Sequence, residues 1–338
     1  MIVLGIESSC DETSISLLDG EKVLVNLISS QDFHALYGGV VPELSSRAHL
    51  QKIIPLLKEA LKKADLKLKN VDLICATAGP GLIGALIVGL TFAKGLAFSL
   101  NKPFIAVNHV EGHIYSGFLM GDKPEFPFLV LVVSGGHTLL LLVKNFTEII
   151  QLGTTLDDAA GEAFDKVSKM LGFGYPGGPK IQKHAETGNQ NKIEFPVANV
   201  ERYNFSFSGL KTSVLRYIQK NYDGKEISEN GKDDIAASFQ EAVLKPLIIN
   251  TEAAIGDFDV NSICLVGGVA ANKNLRNLFL DVGKKYNKKV VIPKFEYCGD
   301  NAAMIAYRGL KVFENGISHS LNFSPYPGLK ENQFSKLN

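Results

Sequence analysis

The chain opens with a continuous apolar run, Ile2 to Ile6, followed by a short polar stretch from Glu7 to Thr13 and then an alternating apolar run up to Leu18. This pattern predicts a buried strand, a tight turn and a returning strand. It recurs at 126–145, where FPFLVLVV and TLLLLVKN flank Ser134-Gly135-Gly136-His137. Two strand–turn–strand segments predict a duplicated core, each opening one lobe. Between them the period changes. Pro42 to Ala64 places Leu50, Ile53, Ile54, Leu57 and Leu61 at helical spacing with lysines opposite, an amphipathic helix. Val71 to Ala78 reads as a buried strand, Gly79-Pro80-Gly81 as a turn, Leu82 to Leu100 as a buried helix and Phe104 to Asn108 as a short strand. Beyond the second hairpin, Leu156 to Leu171 reads as helix and leads into a Gly/Pro loop, 172–180. Helices follow at Leu210 to Lys220 and Ile235 to Ile255, then strand, glycine turn and helix at Ser262 to Phe279. A last strand, loop and helix begin at Val290.

The 338 residues exceed one domain of roughly 100–200 residues, so two lobes are expected. The expected boundaries are 1–108 for the first and 109–300 for the second, with a helix over about 301–325 returning to the first. Strands alternating with helices make the class α/β. Lys plus Arg and Asp plus Glu number 35 each, giving no net charge. A nucleic-acid binder usually carries a basic excess, so contact with RNA would have to be local or shared with a partner. Cys10, Cys75, Cys264 and Cys298 form no C-x-x-C pair and read as reduced core residues of a cytosolic protein. The N-terminus lacks a basic segment and meets Asp11 and Glu12 too early for a signal peptide. The most apolar stretch, Leu82 to Ala93, is interrupted by Lys94, short of the ~20 residues a membrane span needs. A soluble cytoplasmic protein is expected, with no membrane partner.

Three groups of residues carry chemistry. In His109-Val110-Glu111-Gly112-His113 the histidines stand at i and i+4, on one helical face, where two imidazoles can share a metal ion such as Zn(II) or Fe(II). Glu111 falls at i+2 and points away from that face, unlike the glutamate of an H-E-x-x-H protease. A third, anionic ligand is wanted. Asp300, in a turn before the last helix, could supply it or could simply cap that helix. The second group is glycine-rich: Ser134-Gly135-Gly136 and Gly267-Gly268 each follow an apolar strand, where bare backbone can approach phosphate, and Pro176-Gly177-Gly178-Pro179 adds a third such turn. The P-loop pattern does not occur, and the G-x-G-x-x-G spacing, met at 79–84 and 172–177, is a weak signal by itself. The third group is acidic. Asp11 and Glu12 occupy a turn between buried strands, and Asp158, Glu162 and Asp165 would share one helical stripe, as a solvated face or as a lining for ribose hydroxyls.

Taken in order, GIESSCDET, AGPGLIGALIVGL, NHVEGH, VVSGGHT, LDDAAGEAFDK, YPGGP, FSFSGLKT, GGVAANKNLR and CGDNAAM resemble the bacterial and organellar tRNA threonylcarbamoyladenosine transferases, formerly described as O-sialoglycoprotein endopeptidases. The resemblance spans nearly the whole chain, and His137 fits the bacterial form. It implies the two-lobed actin-like ATPase fold of the actin–hexokinase–Hsp70 superfamily. It also implies transfer of threonylcarbamoyl from threonylcarbamoyl-adenylate to the exocyclic amine of the adenine 3′ of the anticodon, in tRNAs reading codons that begin with A. By position, His109, His113 and Asp300 would bind one divalent metal, Fe(II) before Zn(II). Val132, Val133, Ser134, Gly135, Gly136, Asp165, Gly178 and Asn272 would bind the adenylate. Gln182 departs from the pattern, since many relatives are acidic there. The chemistry needs a base for the amine proton, assigned to Glu12 with Asp11 as the alternative. The implied partners are tRNA, a paralogous actin-fold subunit and a small P-loop ATPase. A glycoprotein metalloprotease, a small-molecule kinase of the same superfamily and a non-catalytic scaffold are the rival readings.

Overall fold

The structure is a computed structural model describing residues 1–329 and 334–336. In chain order the elements are β1 (Ile2–Glu7), β2 (Glu12–Asp19), β3 (Lys22–Ser30), α1 (Pro42–Lys63), β4 (Leu73–Gly79), α2 (Ile83–Leu100), β5 (Phe104–Asn108) and α3 (His109–Ser116). There follow β6 (Phe128–Val133), β7 (Thr138–Val143), β8 (Ile149–Thr154), α4 (Ala160–Met170), α5 (Gly177–Ala185), α6 (Ser208–Tyr222), α7 (Glu229–Asp257), β9 (Ser262–Val266), α8 (Lys273–Tyr286) and β10 (Lys289–Val291). The chain ends with α9 (Phe295–Cys298), α10 (Ala302–Glu314) and β11 (Ser335–Lys336). Two compact units result: Met1–Lys123 with the segment from Pro293, and Pro124–Ile292 with residues 334–336.

In the first unit the sheet order is β3-β2-β1-β4-β5 among the described residues. β1 pairs antiparallel with β2 and parallel with β4. As a central strand covered on both faces it is apolar up to its last residue, Glu7, which is why it reads as a run and not an alternation. The helices α1 and α2 pack against this sheet through Ile53, Leu57, Ala60, Leu90, Ala93 and Ala97. By length and composition α2 could cross a membrane, but Ala85, Leu86, Gly89, Leu90, Ala93 and Ala97 are buried in this unit. Gly5 is glycine for a steric reason: a Cβ there would stand 2.2 Å from the Ala302 carbonyl oxygen. Its absence lets the start of α10 lie directly on β1, close to the turn that precedes that helix.

The second unit repeats the plan, with β10-β9-β6-β7-β8-β11. β6 and β7 form the hairpin equivalent to β1 and β2, and β9 pairs parallel with β6 as β4 does with β1. Gly267 closes β9 at φ +94°, and a Cβ there would meet the Val133 carbonyl oxygen at 2.4 Å. Only glycine tolerates both the left-handed backbone and that approach.

Several boundaries differ from the expected ones. The first unit continues past Asn108 to Lys123 because α3 packs against α10, so both histidines belong to it. Helix α4 starts at Ala160, four residues later than the pattern predicts. Thr155 Oγ1 donates to the Asp158 carbonyl at 2.7 Å, and the Asp157 carboxylate takes hydrogen bonds from Ser206 Oγ, Phe207 N and Ser208 N. Those bonds hold 155–158 as a loop. Helix α7 starts six residues early, at Glu229, because Ser228 caps it through Gly231 N.

Candidate metal centre and anion-binding turns

The histidine pair is presented by a well-formed helix start. Asn108 Oδ1 accepts from Glu111 N at 3.0 Å, capping α3. One turn apart, the rings of His109 and His113 lie edge to face with centroids 4.7 Å apart. Asp300 Oδ1 stands 3.1 Å from His113 Nε2 and 3.4 Å from His109 Nε2. One ligand atom from each of the three residues lies within 4.8 Å of the others. The far side of His109 is held too: Nδ1 donates to Glu7 Oε2 at 3.1 Å, with Ser9 Oγ at 3.2 Å. Glu7 is fully buried, and its two oxygens also accept from Thr77 Oγ1 and Ser9 N, each at 2.5 Å. A carboxylate on Nδ1 fixes the tautomer that leaves Nε2 as a lone pair facing Asp300. Two imidazole nitrogens and a carboxylate so arranged fit a divalent transition metal.

The electrostatics favour positive charge at this point, a proton on His109 Nε2 or a metal ion in its place. Burial opposes charging of His109, but the Asp300 and Glu7 carboxylates outweigh it and hold the imidazole well above its ordinary value. Burial likewise opposes ionisation of Asp300, and the two histidines outweigh it, holding the carboxyl well below its ordinary value. Both shifts express one thing, that these groups favour positive charge on the histidines and negative charge on the carboxylates. Half-buried Glu12, the first residue of β2, is shifted the other way: burial, with the nearby charges of Asp300 and Asp11, raises its carboxyl well above the usual range. Glu111 turns away from the histidines, and its Oε2 accepts from Arg308 Nε at 2.7 Å.

In the second unit the turn after β6 is tied by Ser134 N donating to the His137 carbonyl at 2.8 Å and His137 N to Ser134 Oγ at 3.1 Å. A Cβ on Gly135 or Gly136 would meet nothing within 4 Å. The fold therefore leaves that space open, and the glycines expose backbone to whatever enters it. Gly161 packs under the turn, donating to the Ser134 carbonyl at 3.2 Å. Val132 and Val133 are fully buried, so their side chains belong to the core. Asp165 Oδ1 accepts from Gly177 N at 2.7 Å, binding α4 to the start of α5, with open space around Gly178. Asn272 caps α8 through Leu275 N and donates to Gln240 Oε1 at 2.7 Å. Gln182 Oε1 accepts from Lys273 N at 2.8 Å. The acidic stripe does not form as expected: Asp158 precedes α4, and Lys166 pairs with both Asp158 and Glu162.

Residues 22–307 match the family profile described as TsaD, tRNA N6-adenosine threonylcarbamoyltransferase. The chain belongs to the TsaD family. Proteins named tRNA N6-adenosine threonylcarbamoyltransferase are similar along almost their full length. That of Thermosipho africanus is 51% identical over 98% of this chain and 100% of its own. That of Carboxydothermus hydrogenoformans is 51% identical over 97% of each. Among solved structures, HypF of T. kodakarensis aligns with a TM-score of 0.63 at 16% identity, over 93% of this chain and 48% of its own. The activator of the 2-hydroxyisocaproyl-CoA dehydratase from Clostridium difficile aligns at 0.54 and 13%, over 95% and 99%. The fold is the actin-like ATPase fold that the motifs imply.

For a TsaD-family chain, three residues to which the sequence assigned no role stand out in the structure. Glu7 supports His109, Arg308 holds Glu111, and His49 lies buried near the Asp11–Glu12 turn. Glu7 carries a sequence signal, a carboxylate ending an otherwise apolar central strand. Arg308 and His49 sit in amphipathic helices, where one more polar letter signals nothing.

Proposed function

We propose that the chain transfers threonylcarbamoyl from threonylcarbamoyl-adenylate to N6 of the adenine 3′ of the anticodon in tRNA. Family membership supports the reaction, and the convergence of buried His109 and His113 with half-buried Asp300, braced by Glu7, is the observation that carries the site assignment. The adenine N6 lone pair is delocalised into the ring, so the acceptor is weak and the acyl donor must be activated, as a carbamoyl–phosphate mixed anhydride is. The N6–carbonyl bond forms, the carbonyl–O–phosphate bond breaks and adenylate leaves with its electron pair. Glu12 takes the N6 proton; its raised pKa matches a base better than an ordinary carboxylate would. Asp11 is its neighbour and alternative.

Backbone N–H groups of Gly135, Gly136 and Gly178 bind the adenylate, on a turn that Val132, Val133 and Ser134 anchor to β6, where open glycines provide fixed donors for phosphate charge. Asp165 and Asn272 shape this region through the helix starts they hold. His109, His113 and Asp300 would hold a divalent metal, Fe(II) in preference to Zn(II), which when bound supplies Lewis acidity and positive charge for the donor's oxygens. The metalloprotease reading fails on Glu111, which is engaged by Arg308 instead of free to activate water. A kinase would leave the braced histidine pair without a task.

The chain works in the cytoplasm with a paralogous actin-fold subunit and a small P-loop ATPase. The zero net charge supports a tRNA surface shared with partners. Leu50 and Ile54 of α1 and Ile83 and Ile87 of α2 are 62%, 48%, 47% and 48% exposed, an apolar surface on packed helices suited to the paralogous subunit. The test is incorporation of labelled threonylcarbamoyl from preformed adenylate donor into tRNA, with purified partners. Incorporation lost when the target adenine is replaced by guanine supports the reading, and incorporation into protein or release of glycopeptides would defeat it.

A further inference from the structure

His49 of α1 is fully buried and belongs to no part of the chemistry above. Its ring bridges the two ends of the Asp11–Glu12 pair. Nε2 lies 3.0 Å from the Cys10 carbonyl oxygen, which can only accept, so Nε2 carries the proton. Nδ1 is then the acceptor, and the Thr13 hydroxyl donates to it at 2.8 Å. Burial lowers the imidazole pKa and so keeps the ring neutral. Cys10 and Thr13 flank Asp11 and Glu12, so one neutral ring grips the backbone before them and the side chain after them.

The grip is reinforced. Ser45 Oγ, one helical turn before His49, also donates to the Cys10 carbonyl. Gln31 lies beside both residues, its Nε2 donating to the Ser45 carbonyl at 3.4 Å. Gln31 Oε1 accepts from His34 Nε2 at 2.9 Å, and His34 Nδ1 accepts from Val41 N at 3.2 Å. Gln31, His34, Ser45, His49 and Thr13 are all buried. A buried polar chain of this length is costly unless every member is satisfied, and satisfied it fixes one geometry. Here the geometry fixed is that of the turn bearing the two carboxylates.

We infer that His49 is a positioning residue for Glu12: by bonding Cys10 and Thr13 together it holds the Glu12 carboxylate where it meets the N6 proton. The inference rests on the reading of Glu12 as base. It requires that loosening the grip slows proton removal and leaves binding of donor and metal intact.

Thr13→Val keeps the shape of the side chain and removes only the hydroxyl donor, and His49→Gln keeps a donor and an acceptor on a flexible chain. Each is made in the wild-type and in the Glu12→Gln background, and single-turnover transfer is measured with the partner proteins present. KM for the donor, metal content and melting temperature are measured alongside. The expected result is a tenfold or greater fall in the single-turnover rate for Thr13→Val, a smaller fall for His49→Gln, and unchanged KM and metal content. In the Glu12→Gln background neither substitution should slow transfer further. Unchanged rates in the wild-type background overturn the inference, and so does an equal fall in both backgrounds, which would mark a general structural role. The Glu12→Gln protein alone judges the base assignment: undiminished transfer by it overturns that reading separately.

Discussion

Glu111 Oε2 accepts from Arg308 Nε at 2.7 Å, and the Arg308 guanidinium carbon lies 4.6 Å from the Tyr115 ring centroid. The pair joins α3, which carries both histidines, to α10, which begins just after Asp300. Gly112 lets the two helices approach, since a Cβ there would stand 2.8 Å from Ile305 Cδ1. The glutamate inside the histidine motif is therefore an anchor between the elements that present the three candidate ligands.

The side chains of this pair are only 10% and 14% exposed, so Glu111→Ala removes the carboxylate facing a guanidinium in a poorly solvated site. The expected loss is about 3 kcal/mol of stability, the scale for stranding one member of a buried ion pair. Urea unfolding of the metal-free protein measures it. A loss under about 0.5 kcal/mol would mean the guanidinium finds another partner, and Glu111→Gln should lie between the two.

Glu7→Gln keeps the shape of the side chain that meets His109 Nδ1 and removes its charge. Carboxylates behind metal-bound histidines typically contribute 10–100-fold to affinity, so Zn(II) and Fe(II) affinity should fall about tenfold in a chelator competition. Asp300→Ala and His109→Ala should remove the stabilisation by metal altogether, which for wild type is about 2.7 kcal/mol at a hundredfold excess over Kd. Metal-induced stabilisation surviving either ligand substitution would place the metal elsewhere.

With Glu12 proposed as the base, its raised pKa has a kinetic consequence. A base acts ionised, so the rate falls as pH drops through its pKa, and raising that pKa moves the fall toward neutrality. The transfer rate should therefore decline above the usual carboxylate range as pH is lowered. Glu12→Gln should flatten that limb as well as slow the reaction. An unshifted limb, or one that survives the substitution, speaks for a different base.

Asp157 tests the loop that displaced the start of α4. Burial works against its charge, but bonds from Ser206 Oγ, Phe207 N and Ser208 N outweigh it, so the carboxyl is held below its ordinary value. A depressed carboxyl contributes stability above its unfolded value, and that contribution is lost as pH falls through the folded one. The group is solvent-exposed, so Asp157→Asn should cost at most ~1 kcal/mol at pH 7. The difference from wild type should vanish in acid. Equal differences at neutral and acid pH would assign the effect to shape and not to charge.

The duplicated hairpins are legible in the chain because a central strand covered on both faces must be apolar throughout, and few other elements have that pattern. The histidine pair is legible because a helix fixes the i, i+4 relation locally. Asp300 is not, since its approach to α3 depends on Gly5 admitting α10 onto β1, a contact across nearly the whole sequence. The acidic stripe misleads for a related reason: bonds from 206–208 unwind the residues before Ala160, and periodicity carries no trace of them. The extension of the first unit past Asn108 is silent in the chain, because it depends on the packing of α3 on α10. His49 and Gln31 are silent in sequence, as buried polar networks usually are, because their meaning lies in which partners they meet.

The most direct test is mass spectrometry of nucleosides from tRNA incubated with threonylcarbamoyl-adenylate, the metal-loaded protein and its partners. It is run beside Glu12→Gln and Asp300→Ala. Threonylcarbamoyladenosine formed by the wild type and reduced at least a hundredfold in both variants, with donor binding retained by Glu12→Gln, is the predicted result. Wild-type yields from either variant, or no modified nucleoside from the loaded wild type with every partner present, would contradict it.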